Sequence, residues 1–436
     1  MSKLRWILSR IRRKLWIRVA LYAALGVLAA GLASLATRFL PWSMPINVTS
    51  DAIDSLLTVI ASSMLAVTTF SIGSLLTAYG SATSNGTPRA TVLLTEDEVV
   101  QSALATFVGS FLFSIVGLTA SKVSAYGPQG RAVLFLVTLA VILMIVLALL
   151  RWINQLTRLG RVGDTVTRLE DATFRAMQVR LEHPYLDARP APARSPQPGA
   201  GAEVPARQVG YVQHVDTGAL AKLCDEHELA IAVRVLPGGF VYEHTPLALI
   251  HGGPQPLPED LPEDLADELA DAIRAAITLG KTRSFDQDPR FGLVTLSEVA
   301  LRALSPAVND PGTAIDVIGR QTRLLSYWGR GWDEAAGVTP RHERVTVPPL
   351  EYGDMFDDAF NQIARDAAGQ VDVMLRLLKA LAALTQIGPP EARRAAQHQL
   401  QLAYERGMQD LPIEADRKRL TGVYEAARSE SALGQG

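Results

Sequence analysis

The first third of the chain contains four long apolar stretches. None of them includes Asp, Glu, Lys, Arg or His, and they are Val19–Thr37, Ser55–Pro88, Val99–Ser121 and Ala132–Leu150. A helix needs about 20 apolar residues to cross the hydrocarbon core of a bilayer. Three stretches fit one span each, whereas the second continues into the polar segment Tyr79–Arg89. The pattern predicts an α-helical membrane domain with four transmembrane helices within residues 19–151.

The first stretch also fits a second interpretation, a cleaved signal peptide. Such a peptide needs a short apolar core followed by a small-residue cleavage site. The apolar core here runs for about 20 residues, the length of a full span, and three more spans follow it. We therefore expect a retained anchor.

Loop charges predict the orientation of these spans, because cytoplasmic loops carry an excess of Lys and Arg. Residues 1–18 include seven basic side chains and form a basic cytosolic or interfacial N-terminus, whereas Leu40–Asp54 has none. Four arginines follow the fourth span: Arg151, Arg158, Arg161 and Arg168. The pattern predicts a multi-pass protein of the bacterial inner membrane with both termini in the cytoplasm and the lipid bilayer as its partner.

One face of the second stretch consists of small residues, most of which can form hydrogen bonds. They recur at steps of three or four and therefore share one side of a helix: Ser55, Thr58, Ser62, Ala66, Thr69, Gly73, Thr77 and Gly80. Close helix–helix packing in lipid favours such residues. A polar pathway through the membrane is the alternative. Ser55, Thr58, Ser62, Thr69, Gly73 and Thr77 are the candidate pore or packing residues.

The apolar period of the fourth stretch continues beyond the membrane. It predicts one helix from about Ala132 to about Leu181, of which residues 152–183 form a cytosolic extension. The apolar stripe of this extension needs cover, either from the protein's own cytosolic domain or from a second copy, and we expect a homo-oligomer. Residues 184–208 contain six prolines and are predicted to form a linker.

From Val209 onward, alternating apolar residues replace the helical period. Gly210–Asp216, the region around Ile231 and Thr245–Ile250 are typical of strands, and longer amphipathic segments follow. Residues 209–436 are therefore predicted to form a cytosolic α+β domain with a small β-module and a helical layer.

The densest set of polar side chains lies between Thr282 and Thr313. Asp288 and Asp310 each precede a proline and are predicted to cap the helices that begin at Pro289 and Pro311. Capping does not account for the neighbouring polar side chains, and two helix N-termini suit an anion. The candidate pocket or contact comprises Arg283, Asp286, Gln287, Asp288, Arg302, Ser305, Asn309 and Asp310. At the turn, a bidentate pair between Arg302 and a carboxylate is expected.

Three stretches of this sequence carry a family resemblance. Gly210–Asp216 (GYVQHVD), Arg283–Gly292 (RSFDQDPRFG) and Ala300–Ala314 (ALRALSPAVNDPGTA), together with the spans, resemble the bacterial predicted membrane protein family known as domain of unknown function 2254. The similarity runs from about the second span to about Leu325. The resemblance implies the architecture but no activity.

Composition narrows the function classes. The chain of 436 residues has 42 Lys and Arg against 44 Asp and Glu, and this near-neutral charge argues against a nucleic-acid partner. A single cysteine excludes a cysteine-cluster metal site. No phosphate-binding glycine loop, zinc motif or nucleophile elbow occurs, so we expect no metal, no cofactor and no catalytic residue.

Three functions remain open on this basis. A channel or transporter with a cytosolic regulatory domain ranks first, and its ion or small-molecule ligand is unknown. A non-conducting, membrane-anchored scaffold or ligand sensor ranks second. A membrane enzyme that uses Asp286, Asp288, Arg302 and Asp310 ranks last, since each carboxylate has a simpler capping or salt-bridge explanation.

Overall fold

The computed structural model describes most of the chain in two compact units. The described residues are 3–12, 17, 19–28, 31, 49–95, 97–123, 128–192, 201–252, 263–337 and 339–433. The helical unit comprises residues 7–84 and 88–165, and the mixed unit comprises residues 1–6, 85–87 and 166–436. The boundary after residue 165 lies within the predicted cytosolic extension.

The N-terminal region is mainly helical in its described residues. Its helices are α1 (Lys3–Arg12), α2 (Val19–Leu28), α3 (Ser50–Asn85), α4 (Thr91–Thr95), α5 (Glu98–Lys122) and α6 (Pro128–Leu156). Three of them contain segments long and apolar enough to cross a membrane, namely Ser50–Ser84, Glu98–Lys122 and Gly130–Leu156. Of the first predicted span, α2 is described, and most of the remainder up to Thr37 lies outside the described residues.

The helical unit is held together by apolar packing and by one buried polar contact. Phe107 of α5 and Trp152 of α6 pack in a core with residues of α3. Asp97 caps α5, because its Oδ1 accepts the N–H of Val100 at 2.9 Å. Its Oδ2 accepts from Gln155 Nε2 at 2.8 Å, which joins the start of α5 to the end of α6.

The predicted continuous helix from Ala132 to Leu181 is wrong. Helix α6 ends at Leu156, and α7 (Val162–Glu182) begins after a turn in which Gly160 adopts a φ of +82°. This left-handed conformation suits glycine and ends a helix. Ser81 Oγ donates to the Gly160 carbonyl at 3.2 Å. The spacing of apolar residues does not predict this break, because the helical spacing continues across the turn.

The apolar stripe of α7 is covered by the chain itself. Val166, Leu169 and Met177 are at most 1% exposed. Because the stripe is already buried within one chain, it gives no reason to expect a second copy.

The described residues of the mixed unit form two sheets. Its strands are β1 (Ala188–Pro190), β2 (Ala202–Pro205), β3 (Gly210–Val215), β4 (Leu229–Val233), β5 (Phe240–Val241), β6 (Pro246–Gly252), β7 (Ile277–Gly280) and β8 (His342–Val347). Five strands form one sheet in the order β1-β8-β4-β6-β2, and β5-β3-β7 form the other. In the larger sheet β8 runs parallel to β1 and β4, whereas β6 is antiparallel to β2 and β4.

Residues 188–190 and 202–205 form strands within the segment 184–208, which the sequence predicts to be a linker. Strands β1 and β2 belong to the larger sheet, and Ala188 and Val204 are buried in its core. Residues 193–200 lie outside the described part of the chain. Proline is tolerated here because β1 and β2 are the two edge strands, whose outer N–H groups need no partner in the sheet.

Two described helices of this unit pack on the sheets, and the others pack mainly against one another. The helices that follow α7 are α8 (Thr217–Glu226), α9 (Glu263–Ala276), α10 (Pro289–Leu304), α11 (Pro311–Ala336), α12 (Tyr352–Phe356), α13 (Gln362–Asp366), α14 (Val371–Leu384), α15 (Pro390–Asp410) and α16 (Glu414–Leu433). A π-helical segment, Asp357–Asn361, separates α12 from α13. The α-helical hydrogen-bond pattern is therefore interrupted between these two helices. Arg290 of α10 pairs with Asp354 and Asp358 across this interruption.

The single cysteine lies in the core beneath β8. Cys224 is 0% exposed, and burial raises the pKa of its thiol to about 11. The thiolate is the reactive form, so we expect iodoacetamide at pH 8 to modify the folded full-length chain at less than roughly 1% of the rate seen in guanidinium chloride. Intact mass after timed quenching measures this. Equal rates in the two conditions would contradict the buried position.

Candidate functional site

Four candidate residues meet in the loop between β7 and α10. Arg283 donates to both carboxylate oxygens of Asp288, with Nε–Oδ2 at 2.8 Å and Nη2–Oδ1 at 3.0 Å. Asp288 also caps α10 as predicted, since its Oδ1 accepts the Phe291 N–H at 3.1 Å. The Arg283 guanidinium lies 5.2 Å from the centre of the Phe291 ring. One carboxylate thus holds both the loop and the start of the helix.

Asp288 is deeply buried for a charged side chain. It is 2% exposed, and burial raises the pKa of its carboxyl while Arg283 and the Phe291 N–H act in the opposite direction. The turn between β4 and β5 packs directly on it. A Cβ at Gly238, whose φ is +93°, would lie 2.1 Å from Asp288 Oδ2. Only glycine fits this approach and this conformation.

A deeply buried arginine, which is not among the residues selected from the sequence, lies near this pair. Arg180 in the last turn of α7 is 3% exposed, and burial lowers the pKa of its guanidinium to about 10, while Tyr185 and Asp288 oppose the shift. Its Nε and Nη2 have no hydrogen-bond partner among the described residues. Val166, Leu169, Thr173 and Met177 lie on one face of α7, and Arg180 occupies the next position on that face. This spacing could have predicted that Arg180 is buried.

The other two loop residues connect to β3 and to the N-terminal helix. Gln287 Oε1 accepts the Val215 N–H at 3.0 Å. Asp286 Oδ2 accepts from the Trp6 indole N–H at 2.9 Å, and Trp6 stacks on the buried His214 with ring centres 5.0 Å apart. Trp6 is 3% exposed. The sequence predicts a basic cytosolic or interfacial N-terminus, and Trp6 within it is buried in the mixed unit.

The remaining four candidates lie at the turn between α10 and α11, where they are largely exposed. Asp310 caps α11 as predicted, accepting from Thr313 N at 3.1 Å and Thr313 Oγ1 at 2.6 Å, and these bonds lower the pKa of its carboxyl. Ser305 Oγ donates to the Arg302 carbonyl at 2.7 Å. Asn309 takes a φ of +49° within the turn.

The expected pair between Arg302 and a carboxylate is wrong. The Arg302 side chain is exposed, and no ion pair or hydrogen bond joins its guanidinium to another described residue. The Asp310 carboxylate instead accepts hydrogen bonds from the backbone N–H and the hydroxyl of Thr313. The eight candidates therefore divide into buried and half-buried residues of one loop, Arg283, Asp286, Gln287 and Asp288, and a largely exposed turn.

The small face of α3 is exposed along its whole length. Each of the eight residues from Ser55 to Gly80 is exposed, whereas Leu57, Met64 and Leu75 on the opposite side are buried in the helical unit. Four hydroxyl groups on this face donate to carbonyls one turn earlier in the same helix: those of Thr58, Ser62, Thr69 and Thr77. Among the described residues, no other helix packs against this face.

Comparison with known proteins gives a family and distant relatives. The pattern of the family described as "Predicted membrane protein (DUF2254)" matches residues 12–383. Uncharacterized proteins from Mycobacterium bovis and Mycobacterium tuberculosis are each 31% identical over 163 residues, which is 36% of this chain. The match spans only 30% of the length of these relatives. No solved structure matches the chain.

Proposed function

Because this chain belongs to the DUF2254 family of predicted membrane proteins, we propose a more specific role for it: a homo-oligomeric channel or transporter of the bacterial inner membrane. Four spans leave both termini in the cytoplasm in this proposal. The α3 helices of several copies place their small polar faces around a shared axis. The mixed unit lies on the cytoplasmic side and regulates conduction. The proposal assigns no catalytic residue.

The observation that carries the proposal is the exposure of the α3 face. Ser62, Thr69 and the other small residues point away from the buried side of α3 in a single chain. Lipid does not require small polar residues, whereas close contact between helices or a polar pathway does. No charged residue lies on the face. A passive pathway needs no such group, while an ion-coupled pump generally does.

Two short segments support regulation by the mixed unit. Trp6 precedes the first predicted span and donates to Asp286 in the loop before α10. Thr87 follows α3 directly and donates to Glu298 of α10 at 2.7 Å. A shift of α10 or its loop would therefore pull on chain segments that lead into the membrane helices.

A non-conducting oligomer is the second candidate, and one observation favours it. The hydroxyls of Thr58, Ser62, Thr69 and Thr77 already bond to carbonyls of their own helix. Such hydroxyls are satisfied without water. A dry helix–helix interface would then make the protein a membrane-anchored scaffold or ligand sensor.

Cysteine substitutions on α3 test the proposal. The unreactive Cys224 allows single introduced cysteines to be followed in the otherwise native chain. We expect Ser62→Cys and Thr69→Cys to form disulfide-linked dimers on mild oxidation in native membranes. Ile72→Cys is the matched control, because Ile72 is 47% exposed but lies to the side of the small face.

Flux separates the two candidates. In reconstituted vesicles, a positively charged thiol reagent is expected to reduce ion flux through Thr69→Cys but not through Ile72→Cys. Cross-linking without any flux would favour the scaffold. If Ser62→Cys and Thr69→Cys cross-link no better than Ile72→Cys, the α3 face meets lipid and the proposal is wrong.

A further inference from the structure

A lateral cavity of about 510 Å³ lies in the helical unit among α2, α5 and α6. Tyr22 contributes from α2, and the remaining walls come from α5 and α6. Its long apolar residues Leu143, Met144 and Leu147 are 61%, 38% and 46% exposed. In a bilayer such an open apolar space takes up hydrocarbon, because no water is present to fill it.

The charges in this cavity are confined to one end. Glu98 opens α5 and Arg151 lies in the last two turns of α6. The hydrogen bond from Gln155 to Asp97 holds these two helix ends together. From Glu98 to Thr106 the lining extends for eight residues, about 12 Å at 1.5 Å per residue. The cavity therefore has a charged end and an apolar body on the scale of a lipid chain.

We propose that this cavity binds one phospholipid with an amine headgroup, of the phosphatidylethanolamine type. Arg151 is exposed and makes no hydrogen bond or ion pair within the described part of the chain. A guanidinium binds phosphate through two parallel hydrogen bonds. The Glu98 carboxylate repels a phosphate and attracts an ammonium group, so the two charges match a zwitterionic headgroup and disfavour an anionic one.

The polar lining below the charged end fits the linkage region of such a lipid. Ser102 lies one helical turn beyond Glu98 and on the same face of α5. Its hydroxyl is placed to donate to an ester carbonyl below the phosphate. The hydroxyl of Thr106, one turn further, already donates to the Ser102 carbonyl at 2.8 Å. From that level the chain of the lipid continues along Leu143 and Leu147.

Lipid titration of the purified full-length protein, followed by native mass spectrometry, tests the site. The probes are phosphatidylethanolamine and phosphatidylglycerol with identical acyl chains. We expect Arg151→Ala to weaken phosphatidylethanolamine binding about tenfold or more, the loss typical of a charge-assisted hydrogen bond. Glu98→Gln should weaken phosphatidylethanolamine alone, and Leu147→Trp should weaken both lipids by filling the cavity.

Arg158→Ala is the matched control, since Arg158 is an exposed arginine in the turn after α6 and is not part of the cavity lining. Equal losses from Arg151→Ala and Arg158→Ala would show general surface electrostatics and overturn the site. Unchanged binding in Leu147→Trp would also overturn it. Circular dichroism of each variant establishes that its helices are retained.

Discussion

Asp288→Asn is expected to lower the melting temperature of the full-length protein in detergent by roughly 10 °C, from a loss of about 3–5 kcal/mol. Asparagine is as good an N-cap as aspartate, so the bond to Phe291 N is retained. The substitution removes only the charge. It leaves the half-buried Arg283 without its carboxylate and removes one of the two groups, Tyr185 and Asp288, that raise the pKa of Arg180.

Asp310→Asn provides a matched control for this prediction. Asp310 also caps a helix that begins with proline, but it is exposed and pairs with none of the described arginines. We expect the control to change the melting temperature by no more than a few degrees, since surface caps tolerate this exchange. Equal shifts in the two variants would mean that capping rather than the buried charge pair matters.

A double-mutant cycle extends the comparison. Arg283→Met alone leaves the Asp288 carboxylate buried without its bidentate partner. The double variant Arg283→Met with Asp288→Asn should lose less stability than the sum of the two single losses, because neither partner is then left unpaired. Additive losses would show that the two side chains stabilise the fold independently.

Gly292→Ala is the second substitution for which we expect a large effect. A Cβ at position 292 would lie 1.8 Å from Thr173 Oγ1 and 2.6 Å from Thr173 Cβ. Thr173 is fully buried in α7, and its hydroxyl donates to the Leu169 carbonyl at 2.6 Å. Either α7 or α10 must shift, and overpacking of this kind costs about 1–3 kcal/mol. Scanning calorimetry at a fixed rate measures the fall in melting temperature.

Gly319→Ala is the control for the backbone effect. At Gly319 in α11 the nearest atom to an added Cβ is Arg376 Nη2 at 3.6 Å, which is ordinary contact with a flexible side chain. Alanine should stabilise this helix by up to about 1 kcal/mol. Adding Thr173→Gly to Gly292→Ala should recover part of the lost stability. Wild-type stability in Gly292→Ala alone would show that the two helices are less tightly packed than described.

The candidate site was only partly accessible from the sequence. Asp288 and Asp310 were correctly assigned as caps, because an Asp-Pro step acts within one helical turn. The partner of Asp288 lies five residues away, yet sequence alone gave no reason to prefer Arg283 over Arg302. Trp6 and Arg180 were missed because they reach the site from segments 280 and 108 positions away from Asp286 and Asp288.

The sequence by itself determined the elements whose cause is local. The length of the apolar segments accounts for the long helices α5 and α6. The alternation of apolar and polar residues accounts for the strands β3, β4 and β6, and the two Asp-Pro steps mark the starts of α10 and α11. Each of these depends on the solvent or on neighbours within one turn. Such causes can be identified from residues that are neighbours in the sequence.

Tertiary structure decided the features that depend on distant partners. Residues 188–190 and 202–205 became edge strands because β8 and β6 offer them hydrogen bonds, although their composition is that of a linker. The stripe of α7 was covered by the chain's own mixed unit, and the α3 face was left exposed. A periodic pattern indicates that one face of a helix carries apolar or small residues. What that face packs against depends on contacts between residues far apart in the chain, and local periodicity does not indicate those contacts.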